Sequence, residues 1–247
     1  MKITDHITDI ETTDSAWRAL YKAGGWAALL IVLTALFEIA ITFLPGGYAS
    51  AETVDDWFRL FQSNWFLGLR NLGLLNIIMT ALGIPMFFAL YAAHQKVDQP
   101  FAALAMIISL IGVAVFYATN RAFPMLDLSR QYASAASDAQ RAMLSAAAQA
   151  MLSVGESHTP GTFLGFFLSE LASLLISIVM LRSKVFNTAN AVIGILAAGL
   201  MMIFEIFSSF VLGLTNTALV IAMAGGLLTM AWYILIARRL FQLGQVS

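Results

Sequence analysis

Cysteine is missing from all 247 residues, which excludes disulfides, thiolate metal sites and a cysteine nucleophile. Charge is nearly as scarce: Asp, Glu, Lys and Arg make up 11% of the chain, and the formal net charge is -1. The 13 Lys and Arg residues are dispersed, so no basic surface forms and nucleic-acid binding is excluded. Histidine occurs as His6, His94 and His158, too scattered for a paired haem ligand set or a His-x-x-x-His zinc helix. No cofactor is expected. No soluble domain or low-complexity segment is found either.

What fills the chain instead is apolar. Hydrophobic residues make up 60% and mean hydropathy is +0.83, far outside the soluble range. A membrane helix needs about 20 mostly apolar residues, because its backbone must satisfy its own hydrogen bonds in lipid. Six stretches qualify, over residues 24–44, 65–93, 101–118, 161–181, 189–214 and 217–237. The reading is an all-α polytopic membrane protein, one six-helix transmembrane domain whose main partner is the lipid bilayer. The first stretch exceeds the roughly 7–15 residues of a signal-peptide core, so it is read as a retained anchor despite the Ala-Ser-Ala pattern at 49–51. Pro45-Gly46-Gly47 ends it sharply, and Pro85 is expected to kink the second span.

Lys and Arg near the helix ends favour both termini in the cytoplasm, with Lys2, Arg18, Lys22, Lys96, Arg182, Lys184, Arg238 and Arg239 on that side of a cell membrane. Two long connections then face outward, each expected to hold an amphipathic helix, over about 52–63 and 137–154. Thr53 with Asp56, and Ser137 with Gln140, have the spacing of capping boxes. Val54, Trp57, Phe58 and Phe61 recur with helical period.

Three acids fall inside spans: Glu38, Glu170 and Glu205. A charge at a helix centre costs about 2.5–3.5 kcal/mol to insert, so three are not neutral decoration. Counted along the helices, all three sit in the outer half, level with Arg70 and with Arg121 at the outer rim. Helical spacing extends them into polar stripes: Thr34, Glu38 and Thr42; Thr162, Ser169, Glu170, Ser173 and Ser177; Asn190, Gly194, Glu205 and Ser208; and, on the second span, Gly73, Asn76, Thr80 and Gly83. Such stripes belong in the bundle interior. Glu38, Arg70, Asn76, Arg121, Glu170 and Glu205 are therefore the candidate ligand, proton or ion site, with Glu205 expected to face Arg70, Arg121 or another acid. His158, beside Glu156, could act as a metal ligand or base but reads more simply as an outer-loop histidine, and the residues name no metal.

From "NWFLGLRNLGLLNIIMTALGIPMFFALY" through "GTFLGFFLSELASLLISIVMLRSKVFNTANAVIGILAAGLMMIFEIFSSF" the chain resembles a bacterial family of six-span membrane proteins, a domain of unknown function. The shared texture is an Asn and Arg at the outer start of span two, a Gly-rich start to span four and a short basic turn before span five. The resemblance implies a six-helix membrane fold and brings no catalytic residues.

Three functions compete on these residues. The first is binding or transport of a small molecule or cation, using the acids as a cation or proton site. The second is an accessory or assembly subunit for another membrane protein, with paired charges that only fix helix register. The third is an intramembrane hydrolase using Ser169, Ser208 or Ser209, which has no catalytic motif.

Overall fold

The computed structural model describes the backbone of residues 3–42, 51–155 and 157–245, with side chains from Trp17 onward apart from position 215. The expected stop at 45–47 and the carboxylate of Glu156 lie outside the described residues. Ten α-helices and no strand occur among the described residues. In chain order they are α1 (Ile3–Thr42), α2 (Val54–Ser63), α3 (Trp65–Asn71), α4 (Leu74–His94), α5 (Gln99–Thr119), α6 (Ala122–Ala133), α7 (Asp138–Leu152), α8 (Phe163–Arg182), α9 (Thr188–Phe210) and α10 (Thr215–Leu243).

Six helices are long and apolar enough to cross a membrane, those of α1, α4, α5, α8, α9 and α10. They close a ring in which α1 packs on α4, α4 on α5, α5 on α8, α8 on α9, α9 on α10 and α10 back on α1. Lipid tails are as apolar as leucine, so burial gains little here and close approach of small side chains takes over. The ring core shows this, with Ala28, Ala89, Ala105, Ala172 and Ala191 completely buried between the larger Met86, Trp232 and Leu240. Large apolar side chains such as Leu33, Leu196 and Leu227 remain exposed on the outside, where lipid meets them.

The second expected span, 65–93, is two helices. Leu72 and Gly73 interrupt it, and Gly73 adopts φ +94°, a left-handed conformation open to glycine at little cost. A Cβ there would also press on Asn120 Nδ2 at 3.3 Å. Asn120, at the end of the neighbouring α5, fixes this break by donating to Leu72 O at 3.1 Å, while its Oδ1 accepts from Ala122 N at 3.0 Å. One side chain thus holds both the α3–α4 and the α5–α6 junctions. Pro85 lies inside α4, which continues through it to His94.

Among the described residues the two long connections hold four helices rather than two. α2 and α7 match the expected amphipathic helices, but α3 and α6 join them, and α2 and α3 pack on α6 while α2 meets α7. The four share a separate core of Trp57, Phe58, Phe61, Leu69, Met125 and Ala148. This cap joins the ring through the contact of α3 with α4 and the bonds of Arg70 to α1. The sequence placed Arg70 in a span; it lies instead in α3, part of the cap.

Candidate functional site

The N-terminal parts of the cap helices are set by hydrogen bonds that the spacing foretold. Thr53 Oγ1 accepts from Asp56 N at 3.2 Å and the Asp56 carboxylate accepts from Thr53 N at 3.0 Å. Ser137 accepts from Gln140 N at 3.2 Å, but Gln140 reaches back to Ala136 N rather than to its own cap residue. The Asp56 carboxyl is pulled down to about 2, first by the Thr53 hydroxyl and then by Arg59, whose guanidinium donates to it at 2.5 Å. These bonds secure the starts of α2 and α7.

Beneath the cap, α7 runs into a loop that turns down toward the ends of α8 and α9. His158 in this loop has φ +63°, in a region that a residue with a side chain seldom occupies, at a cost of about 1–3 kcal/mol. Several contacts hold it there. Ser208 of α9 donates to the His158 carbonyl at 2.7 Å, and the imidazole packs against Phe166 at 4.3 Å and Phe204 at 4.8 Å between ring centroids. The ring is thereby aimed inward.

Its target is Glu205. The imidazole Nδ1 lies 2.6 Å from Glu205 Oε1, a charge-assisted hydrogen bond when the imidazole is protonated. The Glu205 side chain is 1% exposed while that of His158 is 30% exposed, so the pair joins the surface to the interior. Glu205 sits five residues from the cap end of α9, about 8 Å deep. Its other oxygen, Oε2, is buried with no partner among the described residues. An acceptor left bare in the interior costs about 1–3 kcal/mol, so this oxygen is a place where a proton or a ligand donor would be stabilised.

The remaining acids flank this pair. Glu170, seven residues and about 10 Å into α8, lies within electrostatic reach of Glu205 and of Tyr233 on α10. Glu38 on α1 lies within reach of His158 and Arg70. Of the three acids Glu205 alone is fully buried and bonded to His158; Glu38 and Glu170 are half-buried and lie within electrostatic reach of His158 and of Glu205 respectively.

The basic residues take different places from those expected. Glu205 bonds to His158, not to Arg70 or Arg121. Arg70 is buried and donates to Asn71 Oδ1 at 2.9 Å, to the Glu38 backbone carbonyl at 3.4 Å and to the Thr42 hydroxyl. Arg70 thereby ties α3 to the last turn of α1, at Glu38 and Thr42. Arg121 is buried at the α5–α6 break. Asn76 is half-buried one turn below Gly73, on the Asn120 side of that hinge.

His158 and Tyr233 are the two groups that the sequence reading did not place in the site. The signal for His158 was an imbalance: three interior acids against two bases left one acid without a cation, and a histidine stands immediately before α8. Among the described residues no group of three or more His, Cys, Asp or Glu side chains is arranged to hold a metal ion.

No family model matches the chain, and no curated protein or solved structure matches it. The fold alone defines the class: a multi-pass α-helical membrane protein, in contact with lipid around its ring. The resemblance to a bacterial six-span family rests on sequence texture.

Proposed function

We propose that this protein binds a proton at the His158–Glu205 pair, with Glu38 and Glu170 within electrostatic reach, and transports it, or a small molecule coupled to it, across a cell membrane. Both termini lie in the cytoplasm in this reading, so the cap faces outward. The observation that carries it is the bond from a partly exposed histidine to a wholly buried carboxylate with a second, unpartnered oxygen. A pair that only fixed helix register would not require a bare second oxygen, and Glu205 has one among the described residues. A neighbouring carboxylate, Glu170, makes uptake of positive charge between the two more favourable still.

The hydrolase reading is weaker. A glutamate on Nδ1 would orient His158 as a base through Nε2. The Ser208 hydroxyl is committed to the His158 backbone carbonyl instead. An accessory-subunit role draws support from Arg70, whose bonds to α1 are structural. It leaves the bare Glu205 oxygen without a purpose.

The test is infrared titration of the purified protein in lipid, comparing wild type with Glu170→Gln and Glu205→Gln. A protonated-carboxyl band that titrates in wild type and is lost or displaced in either variant is expected. A spectrum identical in all three folded proteins overturns the reading.

A further inference from the structure

The His158 ring and the walls around it come from different kinds of structure. Phe166 belongs to α8, and Phe204 and Glu205 are successive residues of α9, so the walls stand on two helices that pack on each other. Phe116 of α5 backs Phe166 at 5.4 Å between ring centroids, and the two backbones run so close that a Cβ on Gly165 would lie 3.0 Å from Phe116 Cα. These walls are fixed by helix packing. The imidazole between them is carried instead by a loop residue at φ +63°, whose carbonyl is tied to Ser208.

Two phenyl rings and a buried carboxylate define what such a cage selects. The aromatic faces attract a cation lying against them, and the carboxylate fixes its N–H groups by charge-assisted bonds. His158 meets this demand only in part. Its Nδ1 occupies Glu205 Oε1 at 2.6 Å, while Oε2 stays buried and bare among the described residues. A primary ammonium carries three N–H donors, so it can serve both oxygens while an aromatic body takes the place of the imidazole.

We propose that Phe166, Phe204 and Glu205 form a binding site for a small aromatic primary ammonium ion, and that His158 fills this site as a tethered stand-in which the ligand displaces. This rests on the reading of Glu205 as a proton-binding carboxylate, and it names the small molecule coupled to the proton. Glu205 holds either one. The space the ligand needs is the space His158 vacates, and the side chain is already 30% exposed. Only the loop has to move, and its departure relieves the left-handed conformation.

The test is calorimetric binding of benzylammonium to the full chain in lipid nanodiscs at pH 7, against empty discs, with 15N-histidine spectra of the same samples. His158→Ala identifies the His158 signals. Saturable binding that shifts those signals is expected in wild type. His158→Ala, freed of its internal competitor, should bind about tenfold or more tighter; Glu205→Gln should bind about tenfold or more weaker. Benzyltrimethylammonium, with the same charge and ring but no N–H, should also bind about tenfold or more weaker. Equal affinity in wild type and folded His158→Ala overturns the stand-in, as do His158 signals that stay put at saturating benzylammonium, a result that needs no variant to fold. If benzylammonium fails to bind while the wild-type carboxyl band titrates, the cage is overturned and the proton site stands. A wild type whose carboxyl band does not titrate overturns the proton site, and the coupling with it.

Discussion

The cap and the ring are built from the same chain by different rules. In the cap, Trp57, Phe58 and Phe61 form a core of large aromatic residues, and side-chain caps secure the starts of α2 and α7. That is how a water-soluble bundle is held, with each buried aromatic contributing about 1.5–3 kcal/mol by leaving water. In the ring, alanines set the spacing and the polar groups are hidden inside. Since lipid rewards no apolar burial, a bare oxygen or N–H in the ring has no structural return. The difference teaches where to look for function: unsatisfied polar atoms in the ring carry more information than any in the cap.

The sharpest way to break this comparison is Phe58→Ala. Phe58 is 1% exposed and packs on Tyr132 at 4.6 Å between ring centroids. Its loss should destabilise the cap by about 3–5 kcal/mol, with hydrogen exchange rising across α2, α3, α6 and α7 while the six spans stay protected. Exchange rising equally in the spans would mean that cap and ring are one cooperative unit.

Next in size is the Glu205 site. Glu205→Ala leaves His158 in its left-handed conformation without a partner and should cost about 1–3 kcal/mol in thermal unfolding in detergent, whereas Glu205→Gln retains an acceptor and should cost less. Equal losses would show that shape rather than hydrogen bonding matters there. Gly73→Ala forces a side chain into φ +94° and should cost about 1–2 kcal/mol, freeing the α3–α4 hinge.

The smallest effect belongs to Asp56. Its folded value of about 2 lies below the ordinary 3.8, so it favours the folded cap above pH 3.8 and that contribution is lost as pH falls toward 2. Asp56→Asn should flatten the acid limb of the cap's stability in that window and leave neutral pH nearly unchanged, since the pair is exposed.

Most of the ring was legible in the sequence because each span is a long apolar run, and α4, α5, α8, α9 and α10 fall close to the stretches that hydropathy marked. The polar stripe on α8 and Gly194 on α9 were legible for the same reason: period 3.6 puts them on one face. The break at Leu72–Gly73 was not, because the apolar stretch 65–69 stands directly before an apolar run and only the Asn120 bond from a distant segment reveals the hinge. α6 was hidden too; its Phe123 and Pro124 look like loop punctuation, and its packing partner α2 is over 50 residues earlier. His158 escaped because its inward aim depends on Ser208, Phe166 and Phe204, which are remote from it or on another helix.

The central claim is that water from the cap side reaches the carboxylates inside the ring. With no native cysteine to give background, single cysteines at Glu170→Cys, at the exposed cap position Ser134→Cys and at the dry core position Ile176→Cys can each be treated with a membrane-impermeant thiol reagent. Reaction at 170 from the side that labels 134, well above the rate at 176, is the predicted result. A position 170 as inert as 176 would contradict the account.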